Sequence, residues 1–95
     1  MIKMRVGNAV LKVSGGKMIK VRVGIDDGKI CQITISGDFF LHPENKIFDL
    51  ENMLMGKECE SVERCVGEWA KEVVIVGATA EDFKHVILMA INRAK

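Results

Sequence analysis

The chain has 95 residues, 48% hydrophobic and 28% charged, and its 14 Lys and Arg against 13 Asp and Glu leave a formal net charge of +1. That length suits one domain, numbered 1–95, able to bury about 60–70% of the surface its unfolded chain exposes, and the apolar content argues against disorder. Near-neutral charge without a block of like charges argues against a duplex nucleic-acid binder, which draws its affinity from a basic face.

Ile2, Met4 and Val6 alternate with Lys3 and Arg5, the pattern of a half-buried strand. Gly7-Asn8 then reads either as a hairpin turn that sends Ala9 to Val13 back along the first strand, or as part of one bent strand over 2–13. Ser14-Gly15-Gly16 interrupts the alternation, which resumes over Lys17 to Ile25 with Ile19, Val21, Val23 and Ile25 inward. Asp26-Asp27-Gly28 is a turn signal, and Lys29 to Ser36 returns with Cys31, Ile33 and Ile35 inward. An antiparallel meander of three to four strands follows, apolar on one face and wet on the other. It forms a β half over 1–36.

Residues 37–43 read as a junction, Gly37-Asp38-Phe39-Phe40-Leu41-His42-Pro43. Pro43 fits the first position of a helix on which Ile47, Leu50, Met53 and Leu54 recur until Gly56 caps it. A second helix opens at Glu60 or Ser61, with Val62, Cys65, Val66, Trp69 and Val73 on one stripe. The β-branched run Val73 to Val76 fits a helix end or a short extended segment equally. Thr79 and Asp82 form a capping box with Asp in place of Glu, before a third helix whose stripe is Phe83, Val86, Ile87, Ala90, Ile91 and Ala94. The fold class is α+β: a small meander, then about three helices over 44–95 packed on one face of it.

Cys31, Cys59 and Cys65 include no CxxC pair, and an odd number of free thiols suits a reducing, cytoplasmic setting. The N-terminus lacks the apolar core of a signal peptide, and no uninterrupted apolar stretch approaches the ~20 residues that span a bilayer. No catalytic constellation emerges. His42 and His85 lack a partner nucleophile, and the cysteine spacing does not suit a zinc site, so neither a catalytic residue nor a metal ligand is assigned.

Gly15-Gly16-Lys17 has the glycines and cation of an anion loop. It joins two strands rather than a strand and a helix, so a hairpin loop with a solvated lysine fits better. In Gly37-Asp38-Phe39-Phe40 the aspartate suits a turn former, and two adjacent aromatics rarely both point inward. The outward one is a candidate interface anchor, and Phe48 and Met55, off the first helix's stripe, are candidates to extend the same patch. The residues alone describe an interaction module.

Three strings together resemble a known family. They are Lys12-Val13-Ser14-Gly15-Gly16-Lys17-Met18-Ile19-Lys20-Val21, Asp27-Gly28-Lys29-Ile30, and Ile35-Ser36-Gly37-Asp38-Phe39-Phe40-Leu41-His42-Pro43-Glu44; Leu50-Glu51 and Leu54-Met55-Gly56 add to them. From about residue 11 to residue 91 the chain resembles the C-terminal accessory domain of lipoate–protein ligases, most specifically in the GGK and GDFF strings. The resemblance implies a SufE/NifU-like fold. It also implies the accessory subunit of a two-chain ligase, paired as a heterodimer with a separate catalytic subunit. That activity is ATP-dependent activation of lipoate to lipoyl-AMP, then transfer to a lysine of lipoyl domains in 2-oxoacid dehydrogenase or glycine-cleavage complexes. ATP, Mg and lipoate are then expected in the complex, with none bound by this chain alone, and no membrane or nucleic acid is involved. Gly15, Gly16, Lys17, Gly37, Asp38, Phe39, Phe40, Phe48 and Met55 are the residues expected near the partner or substrate. The competing expectation is a stand-alone scaffold or interaction module in iron–sulfur assembly, for which Cys59 alone is expected on an exposed loop.

Overall fold

A computed structural model describes residues 4–13, 15 and 17–95. Its strands and helices are β1 (Arg5–Lys12), β2 (Met18–Asp26), β3 (Lys29–Gly37), β4 (Phe40–His42), α1 (Lys46–Leu54), α2 (Val62–Ala70), β5 (Val74–Val76) and α3 (Ala80–Ala94), with a 3-10 turn at Cys59–Ser61 before α2. β1, β2 and β3 form an antiparallel sheet in that order, while β4 and β5 pair as a separate two-stranded ribbon.

β1 is one continuous strand, paired from Arg5↔Ile25 to Lys12↔Met18, so Gly7-Asn8 is not a turn. The alternation therefore keeps a single phase: Gly7 and Ala9 face the core, and Met4 and Val6, expected inward, lie exposed. Glycine is required at position 7 for a close approach. A Cβ there would stand 2.0 Å from the Ala90 carbonyl oxygen and 2.6 Å from the Ala94 nitrogen. β1 and α3 touch backbone to backbone, and Arg93 ties them again by donating to the Asn8 carbonyl at 2.9 Å.

Asp27 and Gly28 both have positive φ, 53° and 72°, the signature of the tight hairpin that an Asp-Gly pair favours. Just beyond it the register shifts: Ile25 pairs with Ile30 but Gly24 with Gln32, so Cys31 is the extra residue of a β-bulge. The bulge changes the phase of β3. Ile30 is fully buried, whereas Cys31, expected inward, is half-buried and donates its thiol to the Gly24 carbonyl at 3.4 Å.

The helices cover one face of the sheet. α3 crosses β1 and β2, α1 lies against β3, and α2 packs on both helices. β3's outer edge is occupied. Gly56 donates to Ile30, Ile30 to Lys57 and Cys59 to Gly28, while the Glu51 carboxylate accepts the Ile35 amide at 2.7 Å. These bonds occupy part of the row of backbone groups that an edge strand presents to other chains. α1 begins three residues after Pro43, which sits in the preceding turn and accepts from Lys46 at 3.1 Å instead of filling the first helical position. The α3 cap is built as expected, with Thr79 Oγ1 accepting from Asp82 and the Asp82 carboxylate accepting from Thr79, and all six stripe residues of α3 are buried.

Candidate functional site: the Lys17–Phe40 junction and the β4–β5 ribbon

Gly37 ends β3 where the chain passes closest to β2. A Cβ at Gly37 would lie 2.2 Å from the Met18 carbonyl, and Asp38 donates its amide to that same oxygen at 2.9 Å. The turn this creates separates the two phenylalanines. Phe39 stands edge-on to Phe83, with centroids 4.8 Å apart, and Phe83 meets Trp69 in the same way at 5.3 Å, so Phe39 caps an aromatic column of the core. Phe40 is 61% exposed. The Asp38 carboxylate stays in solvent with no side-chain hydrogen bond in the described residues, and its backbone makes the turn.

The loop between β1 and β2 comes to the same place. Gly15, Lys17, Gly37, Asp38, Phe39 and Phe40 line one open depression of about 530 Å³. The Lys17 stem crosses Gly77, where a Cβ would come within 2.9 Å of its Cδ, and its ammonium lies 5.7 Å from the centre of the Phe40 ring. That is within cation–π range, with Phe40 exposed and Lys17 half-buried. The two most distinctive strings of the sequence therefore meet. Gly16, with Ser14, lies outside the described residues.

Sequence reasoning missed Val74 and Val76. β5 pairs with β4 as Phe40↔Val76, Leu41↔Ile75 and His42↔Val74, so Phe40, His42, Val74 and Val76 share one face of the ribbon while Leu41 and Ile75 face the protein. Val74 is 60% exposed and Val76 48%, giving with Phe40 an apolar ribbon face that nothing among the described residues covers. The β-branched run was the available signal; its pairing with residues more than thirty positions earlier was not legible. Phe48 and Met55 are exposed as expected, but they line neither of the two hollows that flank Phe40. Met55 lines a different hollow with Met53, Arg64 and Glu68.

Cys59, expected on an exposed loop, is buried at 8% exposure because the 3-10 turn tucks it under the end of α3. Burial pushes its thiol above the ordinary range, with Lys95 partly opposing, which makes it a poor thiolate at neutral pH. Among the described residues no three His, Cys, Asp or Glu side chains gather as a metal site, and no helix is long and apolar enough to cross a membrane.

Residues 10–87 match the family model of the bacterial lipoate protein ligase C-terminus. The chain belongs to this family. Lipoate-protein ligase A subunit 2 of Thermoplasma acidophilum is 39% identical over 67 residues, 70% of this chain and 71% of that protein. A solved chain from a bi-partite lipoate protein ligase and its E2 lipoyl domain, also of Thermoplasma acidophilum, superposes with a TM-score of 0.76 at 33% identity, covering 92% of this chain and 97% of the other. The ligase C-terminal fold and the α+β reading thus agree, and the GGK and GDFF strings both lie within the matched span.

Proposed function

We propose that this chain is the accessory subunit of a two-chain lipoate–protein ligase. In this reading it is a single domain that docks on a separate catalytic subunit through the β4–β5 ribbon and the Lys17–Phe40 junction. One observation carries the docking: the family's two most specific strings converge on an uncovered apolar face, with Phe40 as a large exposed anchor and Lys17 beside it as a cation. A two-stranded ribbon is marginal by itself, and a large aromatic on such a face is the kind of residue that dominates a binding interface. The small relative's designation as a ligase subunit, and its neighbour's as part of a bi-partite ligase, support the partnership.

In the assembled enzyme the lipoate carboxylate displaces pyrophosphate from ATP to give lipoyl-AMP. A lysine amine of a lipoyl domain in a 2-oxoacid dehydrogenase or glycine-cleavage complex then displaces AMP to form the amide. ATP, Mg²⁺ and lipoate are substrates and ion of the complex in a cytoplasmic setting. The part assigned to this chain is binding and ordering: its junction holds Lys17 and Phe40 against the catalytic subunit and completes the adenylation site. No bond-making role falls to Lys17 or Asp38. The buried, high-pKa thiol of Cys59 speaks against an iron–sulfur scaffold built on that residue.

Lipoate-dependent ATP–pyrophosphate exchange tests the reading. The catalytic subunit alone is expected to exchange slowly, and adding this chain in stoichiometric amount is expected to raise the rate at least tenfold, as befits groups positioned by a partner. Equal rates with and without it would refute the accessory role.

A further inference from the structure

The sheet has a second face, opposite the helices, that no helix or strand among the described residues covers; only Met4 folds over it, burying Gly24. Its outward positions run from Val6 to Lys12 on β1, Met18 to Gly24 on β2 and Gln32 to Ser36 on β3. They hold three cations, Lys12, Lys20 and Arg22, and no Asp or Glu. The register sets Lys20 opposite Val10 and Arg22 opposite Asn8, with Lys12 two residues along from Val10, so the three charges form one contiguous strip. Like charges at such neighbouring positions repel and give the fold nothing. The four ion pairs among the described residues all belong to Lys46 and Lys84 on the helical side, and none of the three strip cations enters one.

The strip belongs to a wider polarity. Residues 1–37 contain seven Lys and Arg and two Asp and Glu, while residues 38–95 contain seven and eleven, so a nearly neutral chain has a cationic sheet end and an anionic helical end. The exposed apolar side chains of the sheet face are Met4, Val6 and Val10, all at its β1 side, with no aromatic among them. Charged, thinly apolar surfaces suit encounters that form and dissolve, whereas the ribbon's phenylalanine and valines suit a lasting contact.

We infer that the Lys12–Lys20–Arg22 face is a docking surface for the acceptor protein, and that it receives an acidic surface of the domain whose lysine is modified. This rests on the ligase reading above and assigns the two uncovered faces to two partners: the ribbon to the catalytic subunit, the cationic sheet face to the acceptor. Charge complementarity selects the acidic partner. The transient character of the surface selects a substrate that must leave after each turnover over a subunit that stays.

The test uses the assembled two-chain enzyme, with an unmodified lipoyl domain of acidic net charge as the probe. Lys20→Gln/Arg22→Gln changes only exposed side chains. The variant is expected to raise the KM for the lipoyl domain about tenfold, leave kcat and lipoate-dependent pyrophosphate exchange unchanged, and lose much of the salt sensitivity that the wild-type KM shows. An unchanged KM in the variant would overturn the proposal. So would release of the catalytic subunit with loss of pyrophosphate exchange, which would assign the face to that subunit. Self-association of the wild-type chain that disappears in the variant would assign it to the anionic end of a second copy. Absence of exchange in the wild-type pair would bring down the ligase reading itself, a result visible before any variant is compared.

Discussion

Phe39 packs its ring against Phe83 while Phe40, one residue on, projects into solvent beside Lys17. The consequences of losing each ring should therefore separate cleanly. Phe39→Ala removes a half-buried ring and its edge-on partner contact, an expected loss of about 2 kcal/mol and a fall in Tm of roughly 8–16 °C by thermal melting. Phe40→Ala removes little buried area, so Tm should stay within about 3 °C. Its affinity for the catalytic subunit, measured by titration calorimetry, should weaken at least tenfold, in the range of a central interface aromatic. The pair of aromatics was legible as one inward and one outward residue. Which was which depended on the turn that Asp38 makes by bonding to Met18, a contact twenty residues back in the chain.

Periodicity located most elements, and it failed where an element's phase depended on a neighbour. Spacing alone placed most of the α2 and α3 stripes: Val62, Cys65, Val66 and Trp69 on one helix and the six stripe residues of the other are buried. Val73, expected on the α2 stripe, is half-buried beyond the helix, which ends at Ala70 before the extended run. β3 slipped phase because a bulge opposite Gly24 inserted Cys31, and no alternation count shows a bulge. β4 and β5 are three residues each, too short for a pattern, and they exist because each pairs with the other. Gly7 is the sharpest instance. A glycine beside Asn8 signals a turn, yet here it lets a helix lie on a strand. Gly7→Ala should therefore destabilise by about 2 kcal/mol, an overpacking cost, measurable as a lower denaturant midpoint with an unchanged slope. A turn position would have tolerated the alanine.

At the scale of the molecule, a single cluster of buried side chains runs from Ala9 on β1 to Ala94 on α3 and takes in every helix. Trp69 sits within it, donating to the Lys46 carbonyl at 2.7 Å and edge-on to Phe83, so its emission reports the contact of α1, α2 and α3 together. The β and helical halves should therefore unfold as one unit. Trp69 fluorescence and far-ultraviolet circular dichroism should give coincident transitions in urea, and separated midpoints would show two independent parts. Glu51 is a further bond between halves, since its carboxylate on α1 holds the edge of β3.

The sequence by itself determined the class of fold, the hairpin at Asp27-Gly28, the helix stripes and the strings by which the family is recognised. Each of these is a local matter of spacing and backbone preference. Tertiary structure alone decided which surfaces remain uncovered: the meeting of Lys17 with Phe40, the alignment of Val74 and Val76 beside it, and the helix-free sheet face that gathers Lys12, Lys20 and Arg22. Exposure is a property of what does not pack. It emerges only when every other contact has been made.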